Sequence, residues 1–351
     1  MELSWPRAWG EPQASAVIRA RPEDFVVHEL LGFELSGEGE HVFLHLEKRE
    51  LNTVELQERI ARLSGVPARD VGFSGMKDRN AVTRQWFSVG LAGKPVPDWS
   101  ELELPGDVGV LEVKRHSRKL KRGVHKANRF QLRLSALQCE RAELESRLQR
   151  VAVEGVPNYF GEQRFGRGGQ TLVQAQQWMG AGRRKLTRNK RSLYLSALRS
   201  WVFNDLLAHR VGQQSWNRVA VGEVCMLQGT RSRFCYEAGE EGVLSRCHRG
   251  DIHPGLPLWG KGRAEASPAV VSEQQTLLEG HLATCEFLER EGLSLDYRSA
   301  RLMADDFCWQ FCDDGSLLLE FSLGPGGYAT AVLAELVHYK KGERGSGNGS
   351  E

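Results

Sequence analysis

Apolar side chains recur at every second position through much of the first 135 residues. Phe25–Leu31 is rich in β-forming residues. Val42, Leu44 and Leu46 alternate with Phe43 and His45, and Phe130, Leu132 and Leu134 alternate with Arg129, Gln131 and Arg133. A period of two is that of a strand with one buried face. Between these strands Asn52 is placed to cap a helix that carries Leu56, Ile60 and Leu63 on one face and ends at Gly65. Residues 71–73 lead into a polar loop at 74–80, after which 86–89 resume an extended pattern. The spacing of Leu137, Leu144, Leu148 and Val151 predicts a helix from about residue 136.

The texture changes near Gly155. Residues 158–169 are rich in Gly, Arg and aromatics and are followed by helical periodicity, clearest over residues 190–209, where Leu195, Leu198, Val202 and Leu206 share a face. Residues 212–268 are Gly-rich and read as irregular, and a helix is expected over 272–291. Residues 317–323 return to a strand, and a turn at 324–327 leads into a helix through Val332 and Leu336. Residues 341–351 read as a mobile tail. A β-rich beginning, a mixed middle and a returning strand and helix suggest one domain inserted into another.

Length and composition narrow the class. The chain has 351 residues, 40% hydrophobic and 26% charged, enough for two or three domains with buried cores. No run of about 18 apolar residues predicts a membrane span, and the N-terminus lacks the basic start and apolar core of a secretory signal. Seven cysteines with no C-x-x-C spacing point to reduced thiols. A cytoplasmic protein is expected.

Charge is segregated. The formal net charge is only +2, yet residues 114–191 hold 20 Lys/Arg against 5 Asp/Glu, a balance of +15 that leaves −13 on the rest. Lys114, Arg115, Arg118, Lys119, Lys121 and Arg122 fall in an acid-free run, and Arg183, Arg184, Lys185, Arg188, Lys190 and Arg191 form a second cluster. A polyanion is the natural partner of such a surface. Solvated loops or contact with an anionic protein or lipid are the alternatives, although neither cluster lies on an obvious amphipathic helix.

Several chemistries lack their signatures. There is no G-x-x-x-x-G-K-[ST], no G-x-G-x-x-G between strand and helix, and no zinc-deaminase pattern. His41 and His45 lie on a strand and read as ordinary histidines, and Cys308 and Cys312 as buried thiols. Two segments remain. Asp78 sits in a Gly-containing loop between Lys77 and Arg79. Neighbouring cations favour the ionised carboxylate that a nucleophile or general base requires, though a solvated turn has the same composition. Phe130 follows Asn128 at the end of the most basic stretch. An aromatic face beside an amide suits a flipped base, and a core phenylalanine is the plainer reading.

Together these segments resemble the TruD family of tRNA pseudouridine synthases over nearly the whole chain. The residues that carry the resemblance are Arg21-Pro22-Glu23-Asp24-Phe25-Val26-Val27, Gly39-Glu40-His41, the stretch 48–53, Gly75-Met76-Lys77-Asp78-Arg79-Asn80-Ala81-Val82-Thr83, Asn128-Arg129-Phe130, residues 157–166, and Phe321-Ser322-Leu323 with Gly326 and Tyr328-Ala329-Thr330. Arg19 stands where the family usually has Lys, which exchanges a point donor for a planar fork. Gly324 replaces a usual proline, and Gly327 stands where Ser is common.

The resemblance implies an α+β fold: the pseudouridine-synthase core, a mixed, mainly antiparallel sheet flanked by helices, with an inserted α/β domain and a V shape overall. The implied divisions are a catalytic part at 1–154, an inserted domain at 155–302, a return to the catalytic domain at 303–340, and the tail. It implies cofactor-independent and metal-free isomerisation of uridine at position 13 of tRNA, with Asp78 as the catalytic nucleophile or base and Lys77 and Arg19 as nearby charge. Phe25, Asn128 and Phe321 would contact the uridine, with Phe130 beside them. Arg115, Arg118, Lys119, Lys121, Arg122, Arg183, Arg184 and Lys185 are expected along the RNA backbone. The expected partner is tRNA, bound by a monomer with neither membrane nor protein partner. An RNA-binding protein without turnover is the competing reading of the same fold.

Overall fold

The structure, a computed structural model, describes residues 3–91, 93–103, 107–181 and 185–342. Seven strands come first: β1 (Ser15–Ile18), β2 (Phe25–Leu31), β3 (His41–Arg49), β4 (Val71–Phe73), β5 (Val82–Gly90), β6 (Val108–His116) and β7 (His125–Gln138), with helix α1 (Thr53–Ser64) between β3 and β4. The alternation along β7 is realised: Phe130, Leu132 and Leu134 are buried, while Arg129 and Gln131 are exposed. β5 instead is buried along most of its length. One of its faces carries Phe87 and Val89 against Leu56 and Ile60 of α1, and Trp86 on the other packs with Phe43 and Leu120. α1 ends as its sequence predicts, Gly65 adopting φ +60°. Asn52 occupies its cap position, but its side chain does not cap the helix.

β7 runs further than periodicity suggests. The strand continues to Gln138, with a bulge at Ala136 (φ +48°), because Gln138 pairs with Ser15 and Ser135 with Val17. The helix expected from residue 136 therefore begins later, as α2 (Arg141–Glu154), with Leu144, Leu148 and Val151 buried. Ladder pairing of this end of β7 with β1 outweighs the apolar stripe.

After α2 the chain forms β8 (Val156–Pro157), α3 (Gln170–Gly180) and α4 (Arg188–Gly212), whose Leu195, Leu198, Val202 and Leu206 are buried as their spacing predicts. The segment read as irregular is ordered. It holds β9 (Val224–Leu227), β10 (Arg233–Cys235), α5 (Val243–Arg249) and β11 (Ile252–Leu258). α6 (Pro268–Leu277) and α7 (Leu282–Arg290) replace the single helix expected there, separated by a short turn at Glu279–His281. β12 (Asp296–Ser299) completes an antiparallel sheet ordered β10-β9-β11-β12, and β13 (Arg301–Leu302) pairs with β8. Prolines 254 and 257 lie inside β11, a central strand, where proline ordinarily argues against one.

The return supplies β14 (Asp305–Phe311), β15 (Leu317–Leu323), α8 (Ala329–Leu336) and β16 (His338–Lys341). Among the described residues ten strands form one sheet, with the path β14-β15-β7-β2-β5-β3-β6; β1 joins β7 and β16, and β4 joins β5. Within this sheet only the β2–β5 and β1–β16 pairings of the described residues are parallel. The fold is thus α+β with a mixed, mainly antiparallel sheet. By packing the chain divides into two units. One comprises Gln13–Glu143, Asp305–Gly326 and Val337–Glu351; the other comprises Met1–Pro12, Leu144–Ala304 and Gly327–Leu336. The expected tail lies almost wholly outside the described residues. No described helix is long and apolar enough to cross a membrane, and all seven cysteines are free thiols; Cys308 is exposed and Cys312 half-buried, not buried as expected.

Candidate active site

β4 ends at Phe73 and β5 begins at Val82, so the loop bearing Asp78 connects two neighbouring antiparallel strands. Arg19, just past β1, adopts the left-handed φ of +56° that non-glycine residues rarely take. Its Nη2 donates to Asp78 Oδ2 at 2.5 Å, and the guanidinium carbon lies 3.9 Å from the centre of the Phe25 ring. The Asp78 side chain is 38% exposed, so the carboxylate is held by a cation yet open to a ligand. Lys48, at the buried inward end of β3, donates to the backbone carbonyls of Leu51 at 2.7 Å and Asp78 at 3.2 Å. Burial lowers its pKa to about 8, against the opposing attraction of Asp78. Backbone grip from Lys48 and side-chain grip from Arg19 together fix the carboxylate.

Lys77 is engaged elsewhere. Its ammonium donates to Glu29 Oε2 at 2.6 Å and to Asn128 Oδ1 at 2.7 Å, while its backbone N–H donates to Thr53 Oγ1 at 3.0 Å. Strand register explains the arrangement: Glu29 on β2 stands directly opposite Asn128 on β7, and Lys77 bridges them. Burial raises the Glu29 pKa, while Lys77 opposes the shift. Beyond Asn128, its Nδ2 is 3.2 Å from His125 Nε2, and His125 Nδ1 meets the Ser74 hydroxyl. Ser74 Oγ also accepts the His125 backbone N–H at 3.1 Å. Burial, and then Lys77, push the His125 pKa down to about 4.

The same sheet face carries the aromatic residues. Phe321 on β15 is paired with Phe130 on β7, their rings stacked at 5.4 Å. Phe25 meets Phe130 edge to face at 6.2 Å, and Phe307 adjoins Phe321 at 5.7 Å. Phe25, Phe130 and Phe321 are buried, so the core reading of Phe130 describes its packing correctly. A continuous row thus runs from Asp78 through Arg19 and Phe25 to Phe130 and Phe321.

The family model for tRNA pseudouridine synthase D (TruD) matches residues 7–173 and 168–336. The chain belongs to the TruD family of tRNA pseudouridine synthases, which are isomerases. A tRNA pseudouridine synthase D of Pseudomonas putida (strain W619) is 45% identical over 340 residues, covering 96% of this chain and 95% of the relative. One from Methylococcus capsulatus is 46% identical over 334 residues, covering 95% and 94%. A solved structure assigned to tRNA pseudouridine synthase D from Methanosarcina mazei superposes with a TM-score of 0.69 over 92% of this chain and 93% of that one. At 20% identity that likeness shows the TruD fold alone.

Around this TruD motif loop the basic run is anchored locally. Leu120 N–H donates to Ser88 Oγ at 2.9 Å, Gly123 N–H to the Ser74 carbonyl at 2.8 Å, and the Arg122 guanidinium lies 4.0 Å from the Phe73 ring centre. A Cβ at Gly72 would sit 2.3 Å from the Leu120 carbonyl oxygen, so glycine permits this close approach. Arg115, Arg118, Lys121 and Arg122 are exposed, while Lys119 is partly so and donates to the Arg69 carbonyl. Lys185 is exposed in the other unit; Arg183 and Arg184 lie outside the described residues. Sequence reasoning missed Glu29, Lys48, Thr53, Ser74, His125 and Phe307 as site neighbours. Glu29 and Lys48 carried a usable signal: each is a charged residue at an inward position, in step with Phe25 and Val27 or with Leu44 and Leu46.

Proposed function

We propose that this chain isomerises uridine to pseudouridine at position 13 of tRNA, without a cofactor, with Asp78 acting as nucleophile or base on a flipped-out nucleotide. The observation that carries the reading is the Asp78 carboxylate, ion-paired to Arg19, accessible, and joined through Phe25 to the aromatic row. The reaction breaks the bond between the sugar C1′ and base N1 and makes one between C1′ and C5. C5 loses a proton and N1 gains one, so the product is an isomer and no redox partner is required. An aspartate that attacks the substrate, or that removes a sugar proton while the glycosidic bond breaks, supplies the needed assistance.

The detached base must remain in place while it turns. Phe25, Phe130 and Phe321 provide apolar walls for it, and Asn128 a polar contact. Flipping the nucleotide costs a few kcal/mol. Phosphate contacts from Arg115, Arg118, Lys119, Lys121, Arg122 and the 183–185 cluster offset that cost and set the register.

The test is pseudouridine mapping in tRNA before and after incubation with purified protein and no additives. The wild type should modify one position, and Asp78→Asn should abolish conversion while tRNA affinity stays within a few-fold. Conversion by the Asp78→Asn protein would remove Asp78 from its role. Binding by the wild type without conversion would favour an RNA-binding protein.

A further inference from the structure

An asparagine amide presents an oxygen on one side and an NH2 on the other, and a half-turn exchanges them. At Asn128 the choice is fixed. The atom 2.7 Å from Lys77 Nζ must be the oxygen, because an ammonium only donates. The NH2 group then faces His125 Nε2 at 3.2 Å, which requires that nitrogen to accept. A neutral imidazole accepting at Nε2 carries its proton on Nδ1, where it meets Ser74 Oγ. Glu29 completes the series by holding Lys77 at 2.6 Å from one side. One N–H of Asn128 is left with no protein partner among the described residues, on a side chain that is partly exposed and two residues before Phe130 on the same face of β7.

We propose that the chain Glu29–Lys77–Asn128–His125–Ser74 is a base-reading device in which His125 is a positioning residue: it locks the Asn128 amide so that the free N–H donates to O4 of the target base, accepting uracil and refusing cytosine. The proposal rests on the reading that a uridine is delivered to Asn128. Uracil and cytosine differ at this edge by an acceptor oxygen in place of a donor amine. A donor that cannot rotate to become an acceptor meets the cytosine amine as donor against donor. Sites whose polar groups are left mismatched reject the wrong ligand strongly. Lys77 sets which atom of the amide is the oxygen, and His125 sets the direction of its NH2 group; without His125 the free N–H is no longer held towards O4 and discrimination falls. The buried surroundings of His125 keep Nε2 available as an acceptor at neutral pH, since burial and Lys77 both disfavour the imidazolium.

The experiment measures binding of two tRNAs, with uridine or cytidine at the position that mapping identifies, in an Asp78→Asn background that prevents turnover. A preference for uridine of tenfold or more is expected. Asn128→Asp, which replaces the donor by an acceptor, should erase or invert it. His125→Gln places an amide where Nε2 lies and should keep most of the preference. His125→Asn serves the Ser74 side only and should lose most of it. Equal behaviour of the two His125 variants would overturn the positioning role, and an unchanged preference in Asn128→Asp would overturn the reading device. Imidazole nitrogen NMR of the wild type needs no variant: an unprotonated Nε2 supports the proposal, and a proton on Nε2 overturns it. Pseudouridine formation is scored separately in the wild type. Preference without conversion fails the proposed reaction and leaves the device standing; conversion without preference does the reverse.

Discussion

The two faces of the sheet around β7 carry ion pairs of opposite kinds. On the inward face Lys77 and Glu29 meet with side chains 5% and 0% exposed, and both also bond to other groups of the site. On the outward face Arg129 and Glu320 pair at 2.8 Å with side chains 53% and 34% exposed. Geometry is similar and solvent is not. Water screens the outer pair and competes for its hydrogen bonds, so it contributes little. The inner charges were removed from water, and each now depends on the other. Burial on one face and exposure on the other decide whether a charge pair is decoration or constraint.

Removing one inner partner should have the largest effect. Lys77→Met would leave Glu29 buried and unpaired, with an expected loss of about 3–5 kcal/mol in urea unfolding. Glu29→Gln combined with Lys77→Met should restore most of that stability, but not turnover. A single variant that loses less than about 1 kcal/mol would show that the pair does not constrain this face. Acid comes next. His125 titrates at about 4 in the fold against an ordinary 6.5, so the native state binds fewer protons between those values. Stability is therefore full above pH 6.5 and falls as pH drops toward 4. His45 and His253, also lowered to about 4 chiefly by burial, act in the same direction. Replacing His125 by Gln should reduce the acid loss by about 3 kcal/mol in pH-dependent unfolding. An unaltered acid limb would mean that His125 is not buried as a neutral ring.

The difference between one-faced and two-faced burial also separates the legible elements from the rest. Period-two patterning marks β3 and β7, β-forming composition marks β2 and β15, and helical spacing marks α1 and α4, because each buries an apolar stripe along its length. Asp78 and Asn128 are reached through motifs. Their neighbours Ser74 and His125 are not, because a short polar loop residue and a strand histidine announce nothing until β4 and β7 bring them together. Glu29 and Lys48 are legible in principle as charges at inward positions, in step with apolar neighbours. Residues 212–268 resist for the opposite reason. Their strands span three to seven residues between glycine turns, β9 and β11 are buried on both faces, and β11 contains two prolines, so no alternation shows.

The basic loop sharpens the same contrast on the scale of binding. Replacing Arg118, Lys119, Lys121 and Arg122 together by Gln should weaken tRNA binding. The slope of log affinity against log salt should fall by roughly one for each phosphate that is no longer neutralised. An unchanged slope would place this loop away from RNA. Folding stability should fall only modestly, since Arg118, Lys121 and Arg122 are exposed and the variant removes two local contacts, Arg122 on Phe73 and Lys119 on the Arg69 carbonyl.

The smallest effect belongs to the outer pair. Glu320 accepts from Arg129 Nη2 at 2.8 Å and from Gln131 Nε2 at 2.9 Å, both across the β7–β15 ladder. Two donors on one carboxylate look like a strong arrangement. Each side chain, however, gives up rotamer freedom to make bonds that water would otherwise satisfy. A double-mutant cycle of Arg129→Ala and Glu320→Ala should return a coupling below about 1 kcal/mol that shrinks in high salt. A coupling as large as that of the inner pair would mean that solvent exposure is not what separates the two faces, and the Lys77 prediction would then lose its physical basis.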